Sequence, residues 1–168
     1  MKLNYLLVLF LAIFTCCNSN RSIKVIDVKK CGLVDTTMFI KKIKEVSTAR
    51  KPNSITDAIQ LLDSLADDNF RCAIITFNET DLYFNLGLVI RNQWVRNGTK
   101  SIRNQLFDKL KLGYIDYSSG LILDIYKQCL INKNVDLVKM YLKDDTDSLF
   151  KMRESELKTI QKELLSLP

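Results

Sequence analysis

The spacing of apolar residues constrains the fold of this 168-residue chain more than any other feature. In residues 36–49 the side chains of Phe39, Ile40, Ile43 and Val46 fall on one helical face, with lysines opposite. The same three- and four-residue spacing recurs in later stretches that begin near residues 55, 81, 101, 116, 135 and 147. The chain has only two prolines, so few breaks interrupt long helices. We therefore predict a single compact all-α domain of about seven helices.

One stretch leaves an alternative open. Residues 72–77, Cys-Ala-Ile-Ile-Thr-Phe, could form a strand or a short buried helix. Periodicity does not decide between the two in a run this short. A small α+β fold is therefore the alternative to the all-α fold.

The first twenty residues have the organisation of a secretory signal. Lys2 precedes an apolar run over residues 5–14, and polar Asn18-Ser19-Asn20 follows. The run is well short of the roughly 18 residues that span a bilayer. We predict that residues 1–16 form a signal peptide and that the protein is exported.

The end of this signal resembles the lipobox of bacterial lipoproteins. In that motif, a cysteine becomes the first residue of the mature chain and carries acyl chains. Ile13-Phe14-Thr15-Cys16 has this form, so we predict lipidation at Cys16 and a membrane-anchored protein of the cell envelope. Cleavage near Ser19, which would give a soluble periplasmic or secreted protein, is one alternative. An uncleaved anchor is another.

Five cysteines occur in the chain, without a C-x-x-C pair or metal-ligand spacing. Cys72 and Cys129 stand in apolar surroundings, so we expect them to be small buried side chains. The alternative is one disulfide among Cys31, Cys72 and Cys129, which an oxidising compartment would permit.

Positive charge is concentrated near the N-terminus. Residues 21–51 contain nine Lys or Arg and three acidic residues, an excess as large as the +6 net charge of the whole chain. We divide the mature chain into a basic arm with the first helix, residues 17–51, and a helical domain, residues 52–168. The arm could lie on anionic lipid headgroups or simply be solvated. Because the protein is expected to be exported and no aromatic residues interleave the lysines, we expect no nucleic-acid partner.

A motif in residues 52–131 resembles that of an uncharacterised bacterial, largely Bacteroidetes, domain family. Its specific part is Gly-x-x-Ile-Arg-Asn-x-Trp, present here as Gly87-Leu-Val-Ile-Arg91-Asn92-Gln-Trp94. Weaker matches are Pro52, Ala58-Ile59, Asp67-Asp68 and Ser119-Gly120. The family has a His-Pro-Asp-Asp-Met-like run where this chain has Tyr114-Ile-Asp116-Tyr-Ser118. The resemblance implies an architecture but no activity.

The candidate site residues are Gly87, Arg91, Asn92, Trp94 and Asp116. Gly87 should mark a close helix contact or a ligand that touches the backbone. Arg91 could bind a carboxylate or phosphate, with Asn92 orienting it and Trp94 as a wall. We favour the structural interpretation, in which Arg91 pairs with a carboxylate such as Asp116 or Asp124. In that interpretation Asn92 bonds a loop backbone and Trp94 fills the core.

Features of catalysis are scarce in the sequence. It contains no histidine, the commonest general base and metal ligand, and no nucleotide-binding or nucleophile motif. We therefore expect no catalytic residue, metal or cofactor, and a domain that acts by binding, with a protein as the further partner. One alternative is an immunity-type interaction module, and another is a hydrolase that uses Asp116 and Arg91.

Overall fold

The structure is a computed structural model that describes residues 23–110, 112–131, 158–163 and 165–166. These residues contain helices and no strand, which confirms the predicted all-α fold. The ambiguous run at 72–77 falls largely within a helix, Asp68–Thr76. The α+β alternative therefore finds no support in the described residues.

The main helices follow one another with short connections. In chain order they are α1 (Thr36–Thr48), α2 (Ile55–Leu65), α3 (Asp68–Thr76), α4 (Glu79–Leu82, continuing through π-helical Tyr83–Gly87 and Ile90–Arg96), α5 (Lys100–Arg103, continuing as π-helical Asn104–Lys109) and α6 (Ile115–Ile131). Residues 158–163 are also helical. The helix predicted at 135–142 and most of that at 147–166 lie outside the described residues. Within the described part of the chain, no helix has both the length and the apolar character needed to cross a membrane.

Helices α1 to α5 each begin at a capping side chain. An oxygen of the cap accepts a hydrogen bond from a backbone N–H of the first turn, which would otherwise lack a partner. The caps are Asp35, Ser54, Asp67, Asn78 and Thr99. Asp67 explains why the run at 72–77 is helical, because its carboxylate accepts from the Phe70 N–H at 2.8 Å and starts α3 upstream of that run.

Helix α6 lies at the centre of the domain. It packs against α2, α3 and α4, and apolar residues cover most of its circumference. Tyr126 of α6 is fully buried, in one core cluster with Trp94 and Phe70. Ile160 belongs to the same cluster, so the C-terminal helical residues also contribute to the core.

Ile40 departs from the predicted pattern of α1. We expected it in the core with Phe39, Ile43 and Val46, but 52% of its surface is exposed. Phe39 and Val46 are buried and Ile43 is half-buried, so the core face is centred on these three residues. Ile40 lies one residue, about 100°, away from Phe39 around the helix, and this places it in solvent.

The N-terminal arm, residues 23–35, is fastened to the domain. A disulfide links Cys31 to Cys72 of α3, with 5.4 Å between their Cα atoms. The expectation that Cys72 is merely a small buried side chain is therefore wrong, because the folded arm brings Cys31 beside it. Cys129 is buried and has a free thiol, as expected.

Candidate functional site

Arg91 and Asp116 form an ion pair that joins α4 to the first turn of α6. Arg91 Nη1 lies 2.7 Å from Asp116 Oδ1 and donates to the Tyr83 hydroxyl at 2.8 Å. Only 15% of the Arg91 side chain is exposed, against 56% of the Asp116 side chain. The structure thus brings Arg91 and Asp116 together as the structural interpretation expected. It also leaves the carboxylate accessible from solvent.

Four aromatic side chains lie on or next to the two helices that this ion pair joins, and one of them, Tyr83, contacts Arg91. Tyr83 packs edge-to-face on Phe84 with 5.5 Å between ring centroids, and Tyr114 packs on Tyr117 at 5.8 Å. Phe84, Tyr114 and Tyr117 remain 62%, 70% and 63% exposed. We call Tyr83, Phe84, Tyr114 and Tyr117 the aromatic surface. Side chains of this kind are enriched where one protein binds another.

A cleft opens beside the aromatic surface, between the start of α4 and the middle of α6. Its volume is about 280 Å³. Its lining residues are Glu79, Thr80, Leu82, Tyr83, Phe84, Gly120, Leu123, Asp124 and Lys127. A Cβ built on Gly120 would have no neighbouring atom within 4 Å. The missing side chain at Gly120 therefore leaves this side of α6 open.

Gly87 is buried where α4 passes α6. An added Cβ would lie 3.5 Å from Ser119 Oγ and 3.6 Å from Leu123 Cδ1. Both neighbours are atoms of α6, so Gly87 lies at the contact between α4 and α6, where an alanine Cβ would also be at van der Waals distance. Its π-helical segment is a geometry that is frequent at functional sites.

Trp94 is fully buried, as the structural interpretation expected, but its polar atom is unpaired. Trp94 Nε1, Asn92 Oδ1 and Arg91 Nε have no hydrogen-bond partner in the described part of the chain. The expected bond between Asn92 and a loop backbone is thus not made by its Oδ1. Each buried polar atom without a partner costs about 1–3 kcal/mol. Three such atoms are therefore concentrated in the Gly87-to-Trp94 motif, which makes this motif a candidate functional position.

A second arginine network, inside the domain, was missed by the sequence analysis. Arg71 of α3 lies 3.1 Å from Asp63 Oδ1 through Nε and donates to the Asp63 backbone carbonyl through Nη2 at 2.9 Å. The Tyr126 hydroxyl donates to Asp63 Oδ1 at 3.2 Å.

Two buried groups near this network have raised pKa values. Burial, followed by the charge of Asp63, raises the pKa of Tyr126. Burial likewise raises the pKa of the Cys129 thiol, to about 12. The sequence contains a signal for the Arg71 network, because charged Asp63 and Arg71 and polar Tyr126 interrupt apolar helix faces.

The Asp116 carboxylate is engaged in an ion pair with Arg91. A hydrolase using Asp116 would require the carboxylate to reach a nucleophile or another acid–base group. Among the described residues, the Asp116 carboxylate contacts Arg91, and no three Cys, Asp or Glu side chains could together hold a metal ion. The arrangement offers an exposed carboxylate, a largely buried guanidinium paired with it, and exposed aromatic rings on the two segments that the pair joins.

The fold and site define an all-α domain with an aromatic surface around an ion pair. Residues 51–130 match a family model described as a domain of unknown function (DUF6794). The match runs from α2 through nearly all of α6, and it includes the Gly87-to-Trp94 motif and Asp116. This stretch is therefore similar to an uncharacterised domain family, in agreement with the coarse expectation from the sequence. Neither the curated proteins nor the solved structures include a match to the chain.

Proposed function

We propose that this protein is exported, anchored to a membrane through acylated Cys16, and acts by binding a protein partner through the aromatic surface. The observation that carries the binding proposal is the exposure of Phe84, Tyr114 and Tyr117 beside the Arg91–Asp116 ion pair.

Two features support export. The signal-like residues 1–16 end at a cysteine suited to acylation. The Cys31–Cys72 disulfide is a bond that persists in oxidising compartments and is rare in a reducing cytosol. Several acyl chains on Cys16 would hold the protein firmly, because each buried methylene contributes about 0.8 kcal/mol to membrane affinity.

Covering the aromatic surface would contribute to association. A buried Phe or Tyr removes about 150–250 Å² from water. At about 25 cal/mol per Å², the area that each of the three exposed rings still presents is worth about 2–4 kcal/mol. The partly buried ion pair adds orientation, since Arg and Tyr are frequent at the centres of interfaces. A partner that covers these rings and offers a hydrogen-bond donor to Asp116 would fit this surface.

Site-specific photo-crosslinking in the native host tests this binding surface. A photoreactive residue is placed at Phe84 or at Tyr117, and in a control at Ser64, an exposed position of α2. The proposal predicts one adduct mass shared by positions 84 and 117 and absent at position 64. A second variant, Asp116→Ala in the position-84 background, should weaken this adduct. Equal adducts at all three positions, or none at 84 and 117, would reject the aromatic surface as the binding site.

A further inference from the structure

A second exposed surface lies on the arm and the first turn of α1, away from the residues that match the family model. We call Val28, Lys29, Lys30, Leu33 and Met38 the N-terminal patch. All five are exposed, and Leu33 at 105% of its reference area makes almost no contact with the protein. A large aliphatic side chain that stays fully in water adds no hydrophobic stabilisation to the fold. Its position three residues after Lys30, with exposed Val28 and Met38 in the same part of the chain, points to a surface that becomes covered.

The arm is held rigidly enough to present this patch. The disulfide to Cys72 fixes Cys31, and Lys24 Nζ lies 2.7 Å from Asp68 Oδ1. The backbone N–H of Asp35 donates to the Asn69 side chain at 2.8 Å, and that side chain donates back to the Asp35 carbonyl at 3.0 Å. Asp68, Asn69 and Cys72 all belong to α3. The arm is thus attached at Lys24, Cys31 and Asp35, and Lys29, Lys30 and Leu33 lie between these attachments.

We propose that the N-terminal patch docks on an anionic lipid surface. Leu33 enters the interfacial region, and Lys29 and Lys30 contact headgroup phosphates. This inference rests on the proposed export and acylation, and it adds that the folded domain itself touches the membrane rather than hanging from a tether.

The positive charge around the N-terminal patch indicates that an anionic surface covers it. The side chains of Lys29 and Lys30, and of Lys41 and Lys44 in α1, have no acidic partner among the described residues. A basic surface that carries exposed aliphatic residues is the combination found on proteins that lie at lipid interfaces. Long lysine stems can cover apolar surface while the ammonium groups remain at the headgroups.

The length of the connection to the anchor also favours a membrane. Seven Cα–Cα steps separate Cys16 from Ile23, the first described residue. A fully extended chain covers at most about 3.6 Å per residue, so Ile23 stays within about 25 Å of an acylated Cys16. The patch begins five residues after Ile23, which keeps it within reach of the bilayer that holds the acyl chains.

Fluorescence quenching by lipids brominated in their acyl chains tests the docking. The mature protein recovered from its host is combined with vesicles of phosphatidylglycerol and phosphatidylcholine, as a Leu33→Trp variant. The matched control is Phe84→Trp, because Phe84 is an exposed residue of α4. The native Trp94 is fully buried and supplies a constant background. The proposal predicts quenching and a blue shift for Leu33→Trp, and neither for Phe84→Trp.

A charge-reversed variant checks the role of the lysines. Lys29→Glu/Lys30→Glu in the Leu33→Trp background should lose most of the quenching, as should vesicles of pure phosphatidylcholine. Both lysines are exposed, so the melting temperature should stay unchanged.

Three outcomes would overturn the docking proposal. They are an unquenched Leu33→Trp, equal quenching of both tryptophan variants, or a blue shift that depends on protein concentration without vesicles, which would indicate a second copy of the chain. The intact mass of the mature protein tests separately whether Cys16 carries acyl chains. A non-acylated chain whose Leu33→Trp variant is still quenched would reject the anchor and retain the patch.

Discussion

At the scale of single residues, Gly98 and Gly120 have opposite surroundings. A Cβ on Gly98 would lie 1.7 Å from the Trp94 carbonyl oxygen, a contact that no rotamer change relieves. A Cβ on Gly120 would have no atom within 4 Å. Gly98 is therefore required by the turn that ends α4, whereas Gly120 is a helical glycine that packing does not require.

These surroundings predict stability changes of opposite sign. Gly98→Ala should destabilise the protein by about 2 kcal/mol or more, because the backbone of the turn must move. Gly120→Ala should stabilise it by about 0.5–1 kcal/mol, because alanine restricts the unfolded chain and favours the helix. Chemical denaturation of both variants measures the two changes. A loss of stability in Gly120→Ala would contradict the open geometry at this position.

Arg71 and Arg91, which each pair with a carboxylate, should also differ in their effect on stability. Arg71 and its partner Asp63 are both nearly buried, so Arg71→Ala leaves a buried carboxylate unpaired and should cost about 3–5 kcal/mol. Arg91 pairs with an exposed carboxylate, so Arg91→Ala should cost only about 1–2 kcal/mol, partly through lost packing. Thermal unfolding of the two variants shows which substitution lowers the stability more. If Arg91→Ala proved the more damaging, the Arg91–Asp116 pair would be the main structural network of the domain.

At the scale of elements, the arm depends on its disulfide. The bond closes a sequence separation of 41 residues, and a loop of this length corresponds to about 3–4 kcal/mol of stabilisation. A reductant should therefore lower the melting temperature of the native protein. The matched control is Cys31→Ser/Cys72→Ser, in which the reductant should have no effect. An unchanged melting temperature of the native protein under reduction would contradict the fastened arm.

Local patterns predicted α1, α2, α4, α5 and α6, because a helix needs only its own apolar face and its cap. The run at 72–77, most of which lies in α3, was left open between a strand and a helix because it is too short for periodicity to decide. The spacing of Phe39 and Val46 predicted α1, and Ser54 indicated the start of α2. Ile40 was misplaced because periodicity does not show how narrow the buried face is.

The contacts between elements were harder to predict. The Cys31–Cys72 bond depends on a distance set by the folded arm, and the Arg71 network joins three helices. The sequence predicted a carboxylate partner for Arg91 but left open whether this partner was Asp116 or Asp124. Tertiary packing decides all of these, and no local pattern encodes it.

At the scale of the whole molecule, α6 separates the two proposed surfaces. The Ile26 N–H donates to the Leu130 carbonyl at 2.8 Å, so the arm meets the end of α6. Asp116 and Tyr117 lie in its first turn. At 1.5 Å per residue, the two ends are about 20 Å apart. A domain that docks through the arm would thus hold the aromatic surface away from the point where the arm meets α6.

The intact mass of the mature protein from its native host tests the central claim, that this domain is exported and lipid-anchored. We predict a chain that begins at Cys16 and carries acyl chains. A chain that begins after Ser19 without lipid would contradict the anchor and leave a soluble exported protein. A chain that retains Met1 without lipid would contradict both export and anchoring.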